Sequence, residues 1–246
     1  MIRIAAVGDI HMAPETRGTL RPAFETLPEC ADLLLLAGDL TRHGTLEEAR
    51  VVADEIKGLA VPVVAVLGNH DHHDDRPEEV AAVLEDAGAQ VLEGRGVVVE
   101  CDGARVGVAG TKGFGGGFLG RSAGEFGEPL MKEFVRCSRR CADGLRASLQ
   151  RLGEQGCDVR IALTHYSPVP ETLAGEPLEI YPFLGSYLLA EAVDTAGADL
   201  AVHGHAHAGT ENGMTSGGVR VRNVAQPVIG RAFHVYHLHG ADAGEA

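Results

Sequence analysis

The 246 residues contain no tryptophan, and aromatic residues make up only 4%. The core therefore has to be built from Val, Leu, Ala and Ile. Basic residues are scarce as well: 21 Lys and Arg stand against 35 Asp and Glu, a formal net charge of −14. Such a surface repels nucleic acid and anionic membranes unless a local patch overrides it. It argues against a general DNA binder, but not against a small anionic substrate, because bound divalent ions reverse the field inside a site. Long apolar runs are missing too. Leu33 to Ala37 falls far short of the ~20 residues that span a bilayer, so no membrane partner is expected. No C-x-x-C pair occurs among the five cysteines, Cys30, Cys101, Cys137, Cys141 and Cys157. Their expected state is reduced and mostly buried, in a cytosolic protein. The opening M-I-R-I-A-A-V-G-D is too short an apolar run for a signal peptide, so cytoplasmic residence is the expectation.

Apolar residues amount to 45%, ordinary for a soluble domain with a sizeable core. There is no internal repeat and no linker long enough to separate domains. One domain is expected over residues 1–240, with 241–246 as a frayed tail.

Continuous apolar runs, Ile2 to Val7, Leu33 to Ala37 and Val61 to Leu67, each stop at a glycine. They predict strands buried on both faces. Between them, Thr45 to Leu59 and Pro77 to Ala87 carry helical stripes with acidic first turns. Alternating strand and helix predicts βαβ units and an α/β fold. Further strands are expected over 90–92, 97–101 and 105–109, with Asp102-Gly103 as a hairpin turn, and over 159–163, 200–202, 219–224 and 233–238. Helices are expected over 132–152 and 183–196. Gly110 to Gly127 is glycine-rich, either a mobile loop whose Phe114 or Phe118 stacks on a substrate ring or a surface insertion.

The residues able to do chemistry recur at one structural address. Asp9 and His11 follow the first strand, Asp39 the next, Asn69 and His70 the third; His165, then His205 and His207, follow later ones. In open α/β sheets the carboxyl ends of strands are where loops converge on ligands. Histidine nitrogen with carboxylate oxygen suits Zn, Mn or Fe. Seven candidates exceed the needs of one four-coordinate ion, and Asp39, with two oxygens, is suited to bridging a pair. Each fragment alone reads as a turn or a structural histidine; all of them, each at a strand end, point to a metal site.

The order Gly-Asp9-x-His11, Gly-Asp39, Gly68-Asn69-His70-Asp71, His165, Gly204-His205-x-His207 resembles the calcineurin-like metallophosphoesterases over almost the whole chain. The resemblance implies a four-layer α/β/β/α sandwich of two mixed sheets flanked by helices. It implies two divalent or transition metal ions, Mn, Fe or Zn. Asp9, His11, Asp39 and His207 would hold the first; Asp39, Asn69, His165 and His205 the second. It further implies in-line attack of metal-bound hydroxide on a small phosphodiester or phosphomonoester. His70 would be the catalytic group aiding the leaving oxygen, steadied by Asp71. Gly38-Asp39-Leu40-Thr41-Arg42-His43-Gly44 lacks the Asp-Arg pair of the protein phosphatases. The chain looks more like the small bacterial phosphodiesterases related to cyclic-nucleotide enzymes.

Two rival readings go with this one: a nuclease on single-stranded nucleic acid, disfavoured by the net charge, and a non-catalytic scaffold on the same fold. His72 and His73 are expected in a solvated loop, and His43 at the surface. His203 is expected to support the Gly-His-x-His turn through a hydrogen bond. Lys132, Arg136, Arg139 and Arg140 read as a solvated basic face, and His234, His237 and His239 as sharing one face of the last strand.

Overall fold

The computed structural model describes residues 1–238. His239 and the expected tail at 241–246 lie outside them. The strands in chain order are β1 (Ile2–Val7), β2 (Leu33–Ala37), β3 (Val63–Val66), β4 (Ala89–Val91), β5 (Arg95–Cys101), β6 (Ala104–Thr111), β7 (Gly117–Phe118), β8 (Arg121–Ser122), β9 (Val159–Thr164), β10 (Leu200–His203), β11 (Asn212–Met214), β12 (Arg220–Asn223) and β13 (His234–Leu238). One large sheet has the order β13-β1-β2-β3-β4 and the other β11-β12-β10-β9-β6-β5, and β7 pairs with β8 apart from both. β1 to β4 are parallel, as are β12, β10, β9 and β6; β13, β11 and β5 run antiparallel at the edges.

Alternation along each strand makes the layers. In β2, Leu33 and Leu35 pack into the apolar layer shared with Val106, Ile161 and Val202 of the second sheet. Leu34 and Leu36 point the other way, toward the helices Leu46–Ile56 and Pro77–Asp86. The outer face of the second sheet is covered by the helices Pro129–Glu154 and Tyr187–Ala196. The result is a helix, sheet, sheet, helix sandwich. A strand with apolar residues on both faces is the expected outcome of burial on both sides.

Local chemistry sets the element ends. Thr45 Oγ1 accepts from the Glu48 amide at 3.2 Å, and the Glu48 carboxylate accepts from the Thr45 amide at 3.3 Å, a reciprocal cap. Asp102 and Gly103, both at positive φ, turn β5 into β6 with Cys101 opposite Ala104.

Three expectations change. The helix read over 183–196 is broken: a short turn, Tyr181–Leu184, precedes extended Gly185, and Ser186 caps a fresh helix by accepting from the Leu188 amide. Gly185 leaves the helix because its backbone lies against Ser167, where a Cβ would stand 2.1 Å from the Ser167 carbonyl oxygen. The glycine-rich stretch is tied down, with the Gly116 and Gly117 amides donating to the Pro182 and Gly185 carbonyls. Finally, His234 stacks on Tyr236 while His237 is exposed. Residues three apart on a strand face opposite ways.

Candidate metal centre

The carboxyl ends of both sheets meet at one edge. β1, β2 and β3 deliver Asp9 with His11, Asp39 and Asn69 from one sheet; β9 and β10 deliver His165 and the His205–His207 turn from the other. Asp9, His11, Asp39 and His207 each offer a donor atom, all within 4.8 Å of one another. Asp39, His165 and His205 do the same. Asn69 Oδ1 lies 2.9 Å from His165 Nε2. Asp39 thus belongs to both groups.

The donors fit a metal in their chemistry as well as their spacing. His165 Nδ1 donates to the Ala37 carbonyl at 2.9 Å, and His205 Nε2 donates to the Phe183 carbonyl at 3.3 Å. A carbonyl only accepts, so each ring, once neutral, keeps its lone pair on the other nitrogen. Orientation of this kind is what a metal-binding histidine requires. His11 Nε2 and His207 Nε2 approach to 3.5 Å, and His207 Nε2 stands 2.8 Å from Asp9 Oδ1.

The backbone is bent to achieve this. Asp9, His11, Asp39 and His205 have φ of 55°, 41°, 50° and 72°, a region that costs a non-glycine residue about 1–2 kcal/mol. Strain of this kind gathers where the surroundings over-determine a functional site. Here the Asp9 carboxylate accepts from the His205 amide at 2.9 Å, and Asp39 Oδ1 accepts from the His70 amide at 2.8 Å. The neighbouring glycines make room: a Cβ on Gly68 would stand 2.1 Å from Asp39 Oδ1, and one on Gly204 2.2 Å from Asp9 Oδ2. Close approach explains why glycine precedes these ligand candidates.

The charges are strongly coupled. Burial works to lower the pKa of His165, but the charge and hydrogen bond of Asp39 outweigh it and raise the group to about 9. Burial likewise works to raise Asp39, and the His165 charge and hydrogen bond with the His70 amide hold it well below the carboxylate range. Burial pushes His205 down to about 3. His207 is raised, first by its hydrogen bond to Asp9. A proton on His165 here balances the buried Asp39 carboxylate, the charge a cation would balance.

His70 stands at the edge of this cluster. Its Nδ1 donates to the Arg42 carbonyl at 2.7 Å, and its Nε2 is 3.9 Å from Asp39 Oδ2. Its ring centroid lies 4.3 Å from that of His73. The expected steadying of His70 by Asp71 is corrected. Asp71 is fully buried and accepts from the Leu40, Thr41 and Gly68 amides and the Thr41 hydroxyl at 2.6–3.2 Å. Its carboxylate ties the turn after β2 to the turn after β3, where several unpaired amides demand one acceptor.

Other histidines separate from the centre. His203 is fully buried; its Nδ1 donates to the Gly204 carbonyl at 2.7 Å and its Nε2 accepts from the Thr172 hydroxyl at 2.8 Å. The exposed His43 ring pairs with Glu48. His72 is half-buried, and burial, then the charge of Lys112, lower it to about 4. Phe118 is buried against Leu173, Leu184 and Ala206. Arg136 and Arg139 pair with Glu125, and Arg140 with Glu133, on an exposed face. Sequence reasoning missed Tyr166, whose ring lies 4.4 Å from that of His205, and Lys112, whose Nζ is 5.4 Å from the Tyr166 ring. Lys112 follows β6 at the address used by the other residues, so the strand-end pattern itself was its signal.

Two mixed sheets carry this His and Asp cluster at their shared edge. The chain belongs to the calcineurin-like phosphoesterase family, whose model matches residues 2–209. A "Probable cyclic nucleotide phosphodiesterase" of Synechococcus sp. is 29% identical over 92 residues, 33% of this chain and 34% of that protein. The match therefore spans about a third of the curated relative. Among solved structures, the phosphopantetheinyl hydrolase of Mycobacterium tuberculosis has a TM-score of 0.65 at 18% identity, with 90% of this chain and 88% of that one covered. TT1561 of Thermus thermophilus has a TM-score of 0.53 at 19% identity and the same coverage. At these identities the structures share the fold.

Proposed function

We propose that the chain is a dinuclear metallophosphoesterase acting on a small phosphodiester or phosphomonoester. The observation that carries this reading is the place of Asp39 in two donor groups at once. Asp9, His11, Asp39 and His207 would hold one ion, and Asp39, Asn69, His165 and His205 the other. When bound, such a pair offsets the charge on phosphoryl oxygens and supplies hydroxide at neutral pH. Ala37 and Phe183 orient the histidine rings through their carbonyls. His70 donates from Nδ1 to the Arg42 carbonyl; in its doubly protonated form the Nε2–H is the hydrogen-bond or proton donor to the leaving oxygen. Asp71 acts only by holding the two turns together.

The name of the Synechococcus relative supports diesters as the first substrates to try. The test is hydrolysis of bis-p-nitrophenyl phosphate and p-nitrophenyl phosphate with Mn²⁺, Zn²⁺ or Fe²⁺. Activity abolished in Asp39→Ala and Asn69→Ala supports the reading; no activity with any of these ions, or activity unchanged in both variants, removes it. The nuclease alternative is separated by digestion of single-stranded DNA and RNA, and the scaffold alternative by metal analysis of the purified chain.

A further inference from the structure

Beside the centre lies a cavity of about 340 Å³, walled by the helix Pro77–Asp86 and the segment after β4. Its size falls within the range of small-molecule pockets, about 300–1,000 Å³. Leu67, Ala81, Val91 and Leu92 line it with apolar surface.

Two of its wall residues also belong to the surroundings of the centre. His72 closes the turn that begins at Asn69. The Lys112 carbonyl accepts from the His165 and Tyr166 amides, both at 3.0 Å. Its Nζ stands 5.1 Å from the Phe114 ring and 5.4 Å from the Tyr166 ring, and Tyr166 touches His205. Among the described residues no carboxylate pairs with the Lys112 ammonium, so a half-buried cation lines the cavity and lies over the Tyr166 ring that touches His205.

The carboxylates of the wall are mostly engaged. Glu85 pairs with Arg95 at 2.6 Å. Glu93 accepts from the Thr111 hydroxyl at 2.5 Å and the Lys112 amide at 2.8 Å. Glu78 remains as an exposed acceptor at the rim. With Glu85 offset by Arg95, the carboxylates of Glu78 and Glu93 around an apolar floor oppose a second anion and favour groups that donate hydrogen bonds.

We propose that this cavity binds one organic arm of the substrate: uncharged, up to nucleoside size, and bearing hydrogen-bond donors. Lys112 meets a phosphoryl oxygen at the neck. This rests on the phosphoesterase reading and goes beyond it, because it names what distinguishes one ester from another.

The experiment compares thymidine 5′-(p-nitrophenyl phosphate) with methyl p-nitrophenyl phosphate, which release the same phenolate and differ only in the retained arm. The wild-type chain, loaded with Mn²⁺, is expected to favour the nucleoside ester at least tenfold in kcat/KM. Ala81→Trp fills the cavity and is expected to cut that ratio about tenfold, mainly through KM. Ala81→Leu, a smaller addition, replaces it if the Trp variant melts early. Lys112→Met is expected to raise KM for both esters. Saturation-transfer NMR with thymidine alone gives a readout apart from activity, with base signals present in wild type and lost in the filled variant. Hydrolysis of the methyl ester with an unchanged ratio in the filled variants overturns the inference and leaves the phosphoesterase reading standing. No hydrolysis of either ester with Mn²⁺, Zn²⁺ or Fe²⁺ overturns that reading, and the inference with it.

Discussion

His70 Nδ1 donates to the backbone carbonyl of Arg42 across 2.7 Å. The partner is a peptide oxygen, so the ring is oriented without a second negative charge beside it. The consequence falls on His70 and not on the Arg42 side chain. His70→Asn should lower kcat by about 10²–10⁴, the usual share of a general acid, with metal content unchanged. Arg42→Ala keeps the carbonyl and should lose far less. Equal losses in the two variants, measured by steady-state kinetics beside metal analysis, would remove His70 from its role.

Asp71 holds three backbone amides and a hydroxyl with one buried carboxylate. Each buried donor left without a partner costs about 1–3 kcal/mol. Asp71→Ala should therefore destabilise the chain by about 3–5 kcal/mol in urea denaturation. A loss under about 1 kcal/mol would show that water replaces the carboxylate.

Metal uptake should release protons. His165 sits at about 9 without an ion, and a ligand must be deprotonated to bind. Apparent affinity for Zn²⁺ should climb about tenfold per pH unit and level off near pH 9. Calorimetry at about pH 7.5 in buffers of different ionisation enthalpy counts the protons directly, and a count of zero contradicts the coupling between His165 and Asp39.

His203 makes an acid-labile point that belongs to neither donor group. Burial lowers it to about 3, against 6.5 for the free side chain. Below pH 6.5 the unfolded chain takes up a proton that the folded chain refuses. This contribution is therefore whole above 6.5 and is lost progressively as pH falls toward 3, with a slope of at most about 1.4 kcal/mol per pH unit. Urea midpoints of His203→Gln between about pH 7 and 4 should fall less steeply than those of wild type. Parallel curves would contradict the assignment.

Much of the fold and of the candidate site was legible because the same local code marks both. An apolar run that ends in glycine is a buried strand, and the residue after the glycine is a carboxylate or a histidine at Asp9, Asp39 and His205. The clearances at Gly68 and Gly204 show why glycine occupies those places. What stayed hidden depends on tertiary contact alone. No sequence pattern announces that His70 meets the Arg42 carbonyl, that His203 meets Thr172, or that Gly185 leaves the helix to lie against Ser167. The cavity wall is equally silent, since Ala81 and Val91 are ordinary residues of a helix and a strand until the two are packed together.

The division of donors between the sheets has a consequence in time. Asp9, His11, Asp39 and Asn69 leave the ribosome early, while His165, His205 and His207 arrive in the last third of the chain. A nascent chain that has built β1, β2 and β3 holds four of the seven donors and neither complete group. Tight metal capture therefore has to wait for β9 and β10 to dock, and an ion held by both sheets favours the finished sandwich over its unfinished precursors.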